Sequence, residues 1–455
     1  MKIYPPTLIV CLLFFNTLVG YAASYYEPVG ADTHETSLKA HNVSRFANLK
    51  KTLSKPNTRF IIRYNHKLRG KTIQVGENST LDFQGGSLKG GTLVLNNNVI
   101  ITGTPVFYYS CTKTDSDTEF AGYTYQDGIC LYRAPVIVKD RSNVVIENAH
   151  FIMDTQRESV KWHGAIICYG EKECSNIRIT NCRFEGDKVA FYSNVHDSEI
   201  RDCTFSNMEF TAIAIETAYD HSPWRHPQNI NIIGNTIEQS YEAIGQTGNV
   251  IWCSGVENLN IENNQMRFLQ SIMLYCGDGN VILKNVNVIN NRITLLTGYE
   301  GMLKNMAAII LMGKSYPFLS EKMPEQSVVI KDNYLECEDV GQVDTLISDN
   351  AGISMIFSSN VTIENNFFAG FSIGVDAGDH FRGKYYHVNN IKLHNNTFDR
   401  IKNTAVNVDC EPQLMEIVNN EIHSTLLKNE SVDFNSAFIK GNVYGNIIIK
   451  NNKAF

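Results

Sequence analysis

Asn360–Phe368 reads NVTIENNFF, and the same phrase, in outline Asn-x-x-Ile-x-Asn-Asn-x-Phe, recurs from the middle of the chain to its end. The copies begin at Asn143, Asn176, Asp197, Asn229, Asn258, Asn285, Ser327, Asn360, Asn390, Leu414 and Asn446. They are spaced about 30 residues apart on average, a period typical of units that cannot bury an apolar face alone and stack on their neighbours to do so. In each copy the apolar fourth residue lies on a short alternating strand, and the paired Asn mark a sharp bend. Asn tolerates the left-handed backbone conformation there, and its amide can bond the Asn of the coil above or below.

A second strand follows each phrase, as in Gly164–Tyr169 (GAIICY), Thr211–Glu216 (TAIAIE), Gln270–Tyr275 (QSIMLY), Phe371–Asp376 (FSIGVD) and Thr404–Asp409 (TAVNVD). No helical period intervenes. Parallel strands joined by short turns close their hydrogen bonds between coils, so the expected fold is an all-β parallel β-helix solenoid and not a βαβ fold. These phrases, over Asn143–Phe455, resemble the coils of right-handed parallel β-helix proteins of the pectin-lyase-like superfamily. Arg59–Gly103 looks like the opening coils of the same superfamily, in a form common among exported bacterial and phage-tailspike-like members. The resemblance implies a right-handed solenoid on which lyases, glycoside hydrolases, epimerases, esterases and binding proteins are all built. Neither the paired-Asp and Gly-His-Gly signatures of polygalacturonases nor the Arg-bearing signature of classical pectate lyases occurs, so neither activity is carried over residue by residue.

The chain divides into three expected segments. Residues 1–23 read as a signal peptide, with Lys2, the apolar run Leu8–Val19 and small residues at Gly20, Ala22 and Ala23. That run is too short to span a bilayer, so the mature chain is expected to be exported and to have no integral membrane segment. Residues 24–58 form a cap region, with Leu38, Val43, Phe46, Leu49 and Leu53 near helical spacing in an amphipathic helix over Thr36–Ser54 that would cover the open strand edges. Residues 59–455 form the β-helix. The net charge of −7 argues against a nucleic-acid partner. The eleven Cys show no Cys-x-x-Cys pair. Cys182 and Cys203 share one position on consecutive coils, about 4.8 Å apart, and a buried thiol stack is favoured there over a disulfide.

In a β-helix the inward residues form the core and the outward ones line a groove. Aligning the second strands puts Ile166, Ile213, Ile244, Ile272, Ile309, Ile353, Ile373 and Val406 inside. Three places later, Tyr169, Ser193, Glu216, Thr247, Tyr275, Met312, Ile356, Asp376 and Asp409 form an outward stripe beside small residues, a trough suited to an extended sugar chain.

Two places in the trough carry chemistry. Asp376 and Asp409 are expected at one position on adjacent coils, about 5 Å apart, with Asp379, His380 and Arg382 on the loop between. That separation serves a retaining glycosidase pair or two ligands of a Ca²⁺ ion, the one cofactor indicated; an Asp at a strand end also simply caps a turn. The loop after Glu216, ETAYDHSPWRHPQN, brings His221, Trp224, Arg225 and His226 beside Tyr275 and Asp278. Trp stacks on sugar faces, and Arg or His neutralises a uronic carboxylate or removes a proton next to it; in the plainer reading Trp224 packs on the coil and the His are solvated. The places lie about five coils, or roughly 24 Å, apart, a centre and a distal subsite.

The sequence thus leads to an exported carbohydrate-active enzyme that cleaves an extended, acidic polysaccharide by hydrolysis or β-elimination. Asp376, Asp409, Glu216, His221 and Arg225 are its candidate catalytic groups. Trp224, His226, Tyr275, Asp278, Asp379, His380 and Arg382 are its candidate substrate-binding groups. The rival is a non-catalytic, surface or tailspike-like protein that binds glycan on the same face.

Overall fold

The nine-residue phrase folds as a strand, a two-residue bend and the start of a second strand. In NLNIENNQM the strand Val256–Glu262 ends at Asn263 and Asn264, and Gln265–Phe268 begins the next. Three of its four Asn do separate jobs. Asn258 has φ +60°, is half-buried, and donates its amide to Asn229 at 2.8 Å while accepting from Asn285 at 2.8 Å. Asn263, at φ +57°, makes the left-handed turn that an ordinary L-residue resists. Asn264 points inward and is buried.

The computed structural model describes residues 38–110, 134–154, 164–208, 211–217, 225–239, 249–276, 281–298, 306–313, 326–341, 350–378, 388–410, 412–423, 439–440 and 446–454. The chain divides into two units, Met1–Leu38 and Lys39–Phe455. The expected signal peptide lies in the first, outside the described residues, and every strand of the described residues belongs to the second.

That second unit is a right-handed parallel β-helix with three faces. One face stacks the strands of the phrases, from Lys39–Asn42 to Ile447–Lys450. Fourteen short strands, from Asn65–Lys67 to Lys453–Ala454, stack as the next. The third, the trough face, runs from Thr72–Gln74 to Ile439–Lys440 and shares the long strands Ile166–Thr180 and Val189–Arg201 with the first. Every strand pair is parallel among the described residues, as in Ile261↔Val288 and Val288↔Ile330. The bend from the first face to the second takes two residues, as between Ile289 and Arg292, whereas thirteen separate Met312 on the trough face from Gln326.

Two inward columns hold the coils in line. Phe107, Phe151, Phe184 and Phe205 stack at centroid separations of 4.7, 5.1 and 4.7 Å. The buried Asn of the phrase form the second column, Asn235, Asn264, Asn291, Asn333, Asn366, Asn396 and Asn420. Asn291 illustrates the role: it donates to Ile261 O at 2.8 Å, Ile289 O at 3.0 Å and Asn333 Oδ1 at 3.0 Å, and accepts from the backbone and side chain of Asn264, both at 2.9 Å. Towards the N-terminus this column continues as Cys203 and Cys182, both buried and free, with Cys182 N–H on Cys203 Sγ at 3.4 Å. The thiol stack is thus the arrangement found.

The cap differs from expectation. The helix spans only Leu49–Leu53, capped by the Asn48 side chain, with Leu49 and Leu53 in the core. Lys39–Asn42 instead pairs in parallel with Thr58–Ile62, since an open strand edge offers hydrogen bonds to an adjacent extended segment. Phe46 is 92% exposed and joins no core.

Asn291→Ala would leave the buried Asn264 N–H and the Asn333 oxygen short of a partner, and is expected to cost about 3 kcal/mol. Asn258→Gly, at a half-buried left-handed position that Gly adopts freely, should cost less than about 1 kcal/mol. Urea unfolding of the two variants checks the difference.

Candidate functional site

On the trough face an inward column runs Ile213, Ile251, Ile272, Ile309, Ile353, Val375 and Val406. One residue later comes an outward column that includes Ala190, Ala214, Trp252, Met273, Ile310, Ser354, Asp376 and Asn407. Three residues after the inward column comes a second outward column: Tyr169, Tyr192, Glu216, Ser254, Tyr275, Met312, Ile356, Gly378 and Asp409.

The expected stripe is corrected at three coils. Tyr192, not Ser193, faces Tyr169. The coil assigned to Ile244–Thr247, which lies outside the described residues, is formed by Ile251–Ser254. The strand Ile373–Gly378 sits two residues further along than expected, so Val375 takes the core place and Ile373 packs outside with Ala307 and Ala351. Gly374 permits this, because a Cβ there would lie 2.4 Å from the Phe398 ring. Asp376 therefore faces Asn407, and Asp409 faces Gly378. The two acids are diagonal neighbours, with Cα atoms about 8 Å apart by strand geometry, rather than an aligned pair at 5 Å. Among the described residues no group of three His, Cys, Asp or Glu is placed to hold a metal, so the Ca²⁺ reading of this pair gains no third such ligand here. Both charges, after burial itself, help push the Cys410 thiol up to about 12.

Glu216 is half-buried on the trough face. Its neighbours along the outward column are Tyr192 and Ser254. Burial raises its carboxyl above the ordinary 4.5, with Lys188 pulling the other way. Burial, then Glu216, then Asp187 raise the Tyr192 phenol. Asp187 is itself buried and accepts from Tyr109 O–H at 3.0 Å and from the Lys188 backbone N–H at 2.7 Å. A raised carboxyl keeps its proton to higher pH than an exposed one, the direction that general-acid chemistry calls for.

Beside Glu216 stands an aromatic pair. Trp252 and Tyr275, on successive coils, have ring centroids 6.1 Å apart and planes 27° from parallel, and both are half-buried. Trp252 lies in register with Ala214. Trp252 and Tyr192 escaped the sequence reading because their coils were aligned on the wrong residues; the alternation in IWCS, inward Ile251 and Cys253, was the signal available. On the far side of the Glu216 coil, the Thr217 hydroxyl meets His226 Nδ1 at 2.7 Å. Gly255, at φ +82°, makes room, since a Cβ there would fall 2.1 Å from Thr217 Oγ1.

The described structure thus brings together Glu216, Tyr275 and His226 of the expected residues, with Arg225 half-buried on the segment that returns toward the first face. Asp376 and Asp409 form a separate place, five and six coils on from Glu216. His221, Trp224, Asp278, Asp379, His380 and Arg382 lie outside the described residues.

No protein-family model matches the chain, and no curated protein matches it in sequence. Solved structures do match. A mutant tailspike protein of E. coli bacteriophage HK620, in complex with pentasaccharide, aligns with a TM-score of 0.53 at 13% identity over 86% of this chain and 72% of its own. The catalytic unit of the GH87 alpha-1,3-glucanase of Streptomyces thermodiastaticus aligns at 0.43 and 11% over 87% of this chain, which spans 63% of that unit. The periplasmic alginate epimerase AlgG aligns at 0.45 and 9%, over 84% of this chain and 78% of its own. At these identities the likeness is one of fold.

The raised Glu216 carboxyl has a consequence for stability. A carboxyl whose folded value lies above its unfolded one favours folding while protonated, and that contribution is lost as pH rises from about 4.5 through the folded value. Melting temperatures of wild type and Glu216→Gln should therefore diverge over this range, with wild type falling relative to the variant.

Proposed function

We propose that this chain is an exported carbohydrate-active β-helix enzyme that cleaves an extended polysaccharide in the trough, with Glu216 as proton donor. The observation that carries the reading is a half-buried, outward-facing carboxyl of raised pKa two coils from Tyr275 and diagonal to Trp252. Glu216 would protonate the glycosidic oxygen as its bond to carbon breaks, a step shared by hydrolysis and β-elimination. In hydrolysis water then adds to the sugar carbon; in elimination a neighbouring C–H proton leaves to a base and a double bond forms. His226, oriented by Thr217, is suited to take that proton, and Trp252 with Tyr275 would hold the flat faces of the sugar rings. Lys188 and Arg225 favour an acidic polysaccharide as the first class to test. Export follows from the signal-peptide reading of residues 1–23.

The test is incubation of the mature protein with acidic and neutral polysaccharides, following ultraviolet absorbance for new double bonds and reducing ends for any cleavage. Both signals together identify a lyase, and reducing ends alone a hydrolase. Glu216→Gln is expected to lower kcat by about 10²–10⁴. Trp252→Ala is expected to raise KM by about tenfold with kcat changed little. Full activity in Glu216→Gln would refute the assignment. Glycan binding without turnover by the wild type would establish the non-catalytic, tailspike-like alternative.

A further inference from the structure

Four to six coils from Glu216, the outward column turns polar in a way that core packing does not call for. Ser354, Asp376 and Asn407 stand in register on three successive strands, and are only 4%, 5% and 4% exposed. Asn407 Nδ2 donates to Asp376 Oδ1 at 2.8 Å. Ser354 Oγ, between Ile310 on one side and Asp376 on the other, is buried with no hydrogen-bond partner among the described residues. An unmet buried hydroxyl costs about 1–3 kcal/mol, so it is uncommon without a reason.

We infer that Ser354, Asp376 and Asn407 form a second glycan-binding subsite, one that receives a sugar hydroxyl between Ser354 and Asp376. Ser354 Oγ makes no direct bond with Asp376, whose carboxylate is held from the next strand by Asn407 at 2.8 Å. A single oxygen within hydrogen-bond reach of both groups would satisfy the Ser354 hydroxyl, at about 2.7–2.8 Å for O–H···O bonds. A hydroxyl has the right polarity: it accepts from Ser354 O–H and donates to the Asp376 carboxylate, which Asn407 holds in place. A Ca²⁺ ion suits the row less well, since it takes about six to eight oxygens and the Asn407 amide presents its N–H₂ to the carboxylate. Between this row and the aromatic pair the outward residues are the apolar Met273, Ile310, Met312 and Ile356, against which ring faces can lie. The inference rests on the polysaccharide reading and deepens it: the substrate is a chain long enough to reach about 24 Å, from Glu216 to Asp376.

The experiment is a printed array of neutral and uronic oligosaccharides, from disaccharides to decasaccharides, probed with Glu216→Gln protein so that nothing is cleaved. Affinity should rise once the oligosaccharide spans both places. Adding Ser354→Ala should lower affinity for the long members by about five- to tenfold and flatten that rise, and Asp376→Asn should do the same. Ser354→Ala should melt no lower than its parent; a clear fall would show that the hydroxyl serves the fold and would overturn the subsite. Equal binding of parent and Ser354→Ala at every length would also overturn it, leaving the polysaccharide reading intact. If the Glu216→Gln parent binds no glycan on the array, that reading fails and the subsite falls with it.

Discussion

The register of one coil on the next places every outward side chain in this protein. A slip by one residue would send each trough residue into the core and each core residue into the trough. The buried Asn column makes such a slip costly. Asn291 meets its partners only when Asn264 lies directly on one side and Asn333 directly on the other. Displacement would strand several buried amide groups at once, each worth about 1–3 kcal/mol. The Phe stack adds dispersion and apolar burial along the same axis but tolerates sliding better, because aromatic faces are less directional than hydrogen bonds.

This dependence on register explains why the fold was legible in the sequence and the trough less so. The phrase face carries Asn at positions where few other residues serve, so its copies can be counted by eye. The trough face carries only alternation, which any strand of apolar and small residues satisfies. Ile373 and Val375 both fit an inward position, and nothing in FSIGVD shows that Gly374 exists to admit the Phe398 ring. Ile244 and Ile251 are likewise interchangeable on pattern alone. The resulting shifts hid Trp252 and Tyr192 and made Asp376 and Asp409 look aligned. The N-terminal segment erred in another way, because helical spacing over Thr36–Ser54 competes with an open strand edge that only the folded coils provide.

The trough combines two environments that polar chemistry ordinarily separates. Along most of its length the outward residues are small or apolar, and several, among them Ile137, Ile167, Ala190 and Ala214, are buried although they point away from the core. Within that surface stand a carboxyl whose proton is retained by burial and, farther on, a row of buried polar groups with one hydroxyl unmet. Each is a cost to folding that apolar residues of similar size would avoid. Such costs gather where a surface must do more than hold itself together, which is why Glu216 and Ser354, rather than the many exposed acids, are the groups on which function is placed.

Glu216 holds its proton above the usual carboxylate range because the coil register buries it, with Lys188 restraining the effect, and the proposed chemistry depends on that proton. Site-resolved carbon NMR of the Glu216 carboxyl, assigned by its disappearance in Glu216→Gln, tests this in the intact protein. The expected result is a midpoint above 4.5 that moves higher still in Lys188→Met. A midpoint at or below 4.5, or a downward move on removing Lys188, would contradict it.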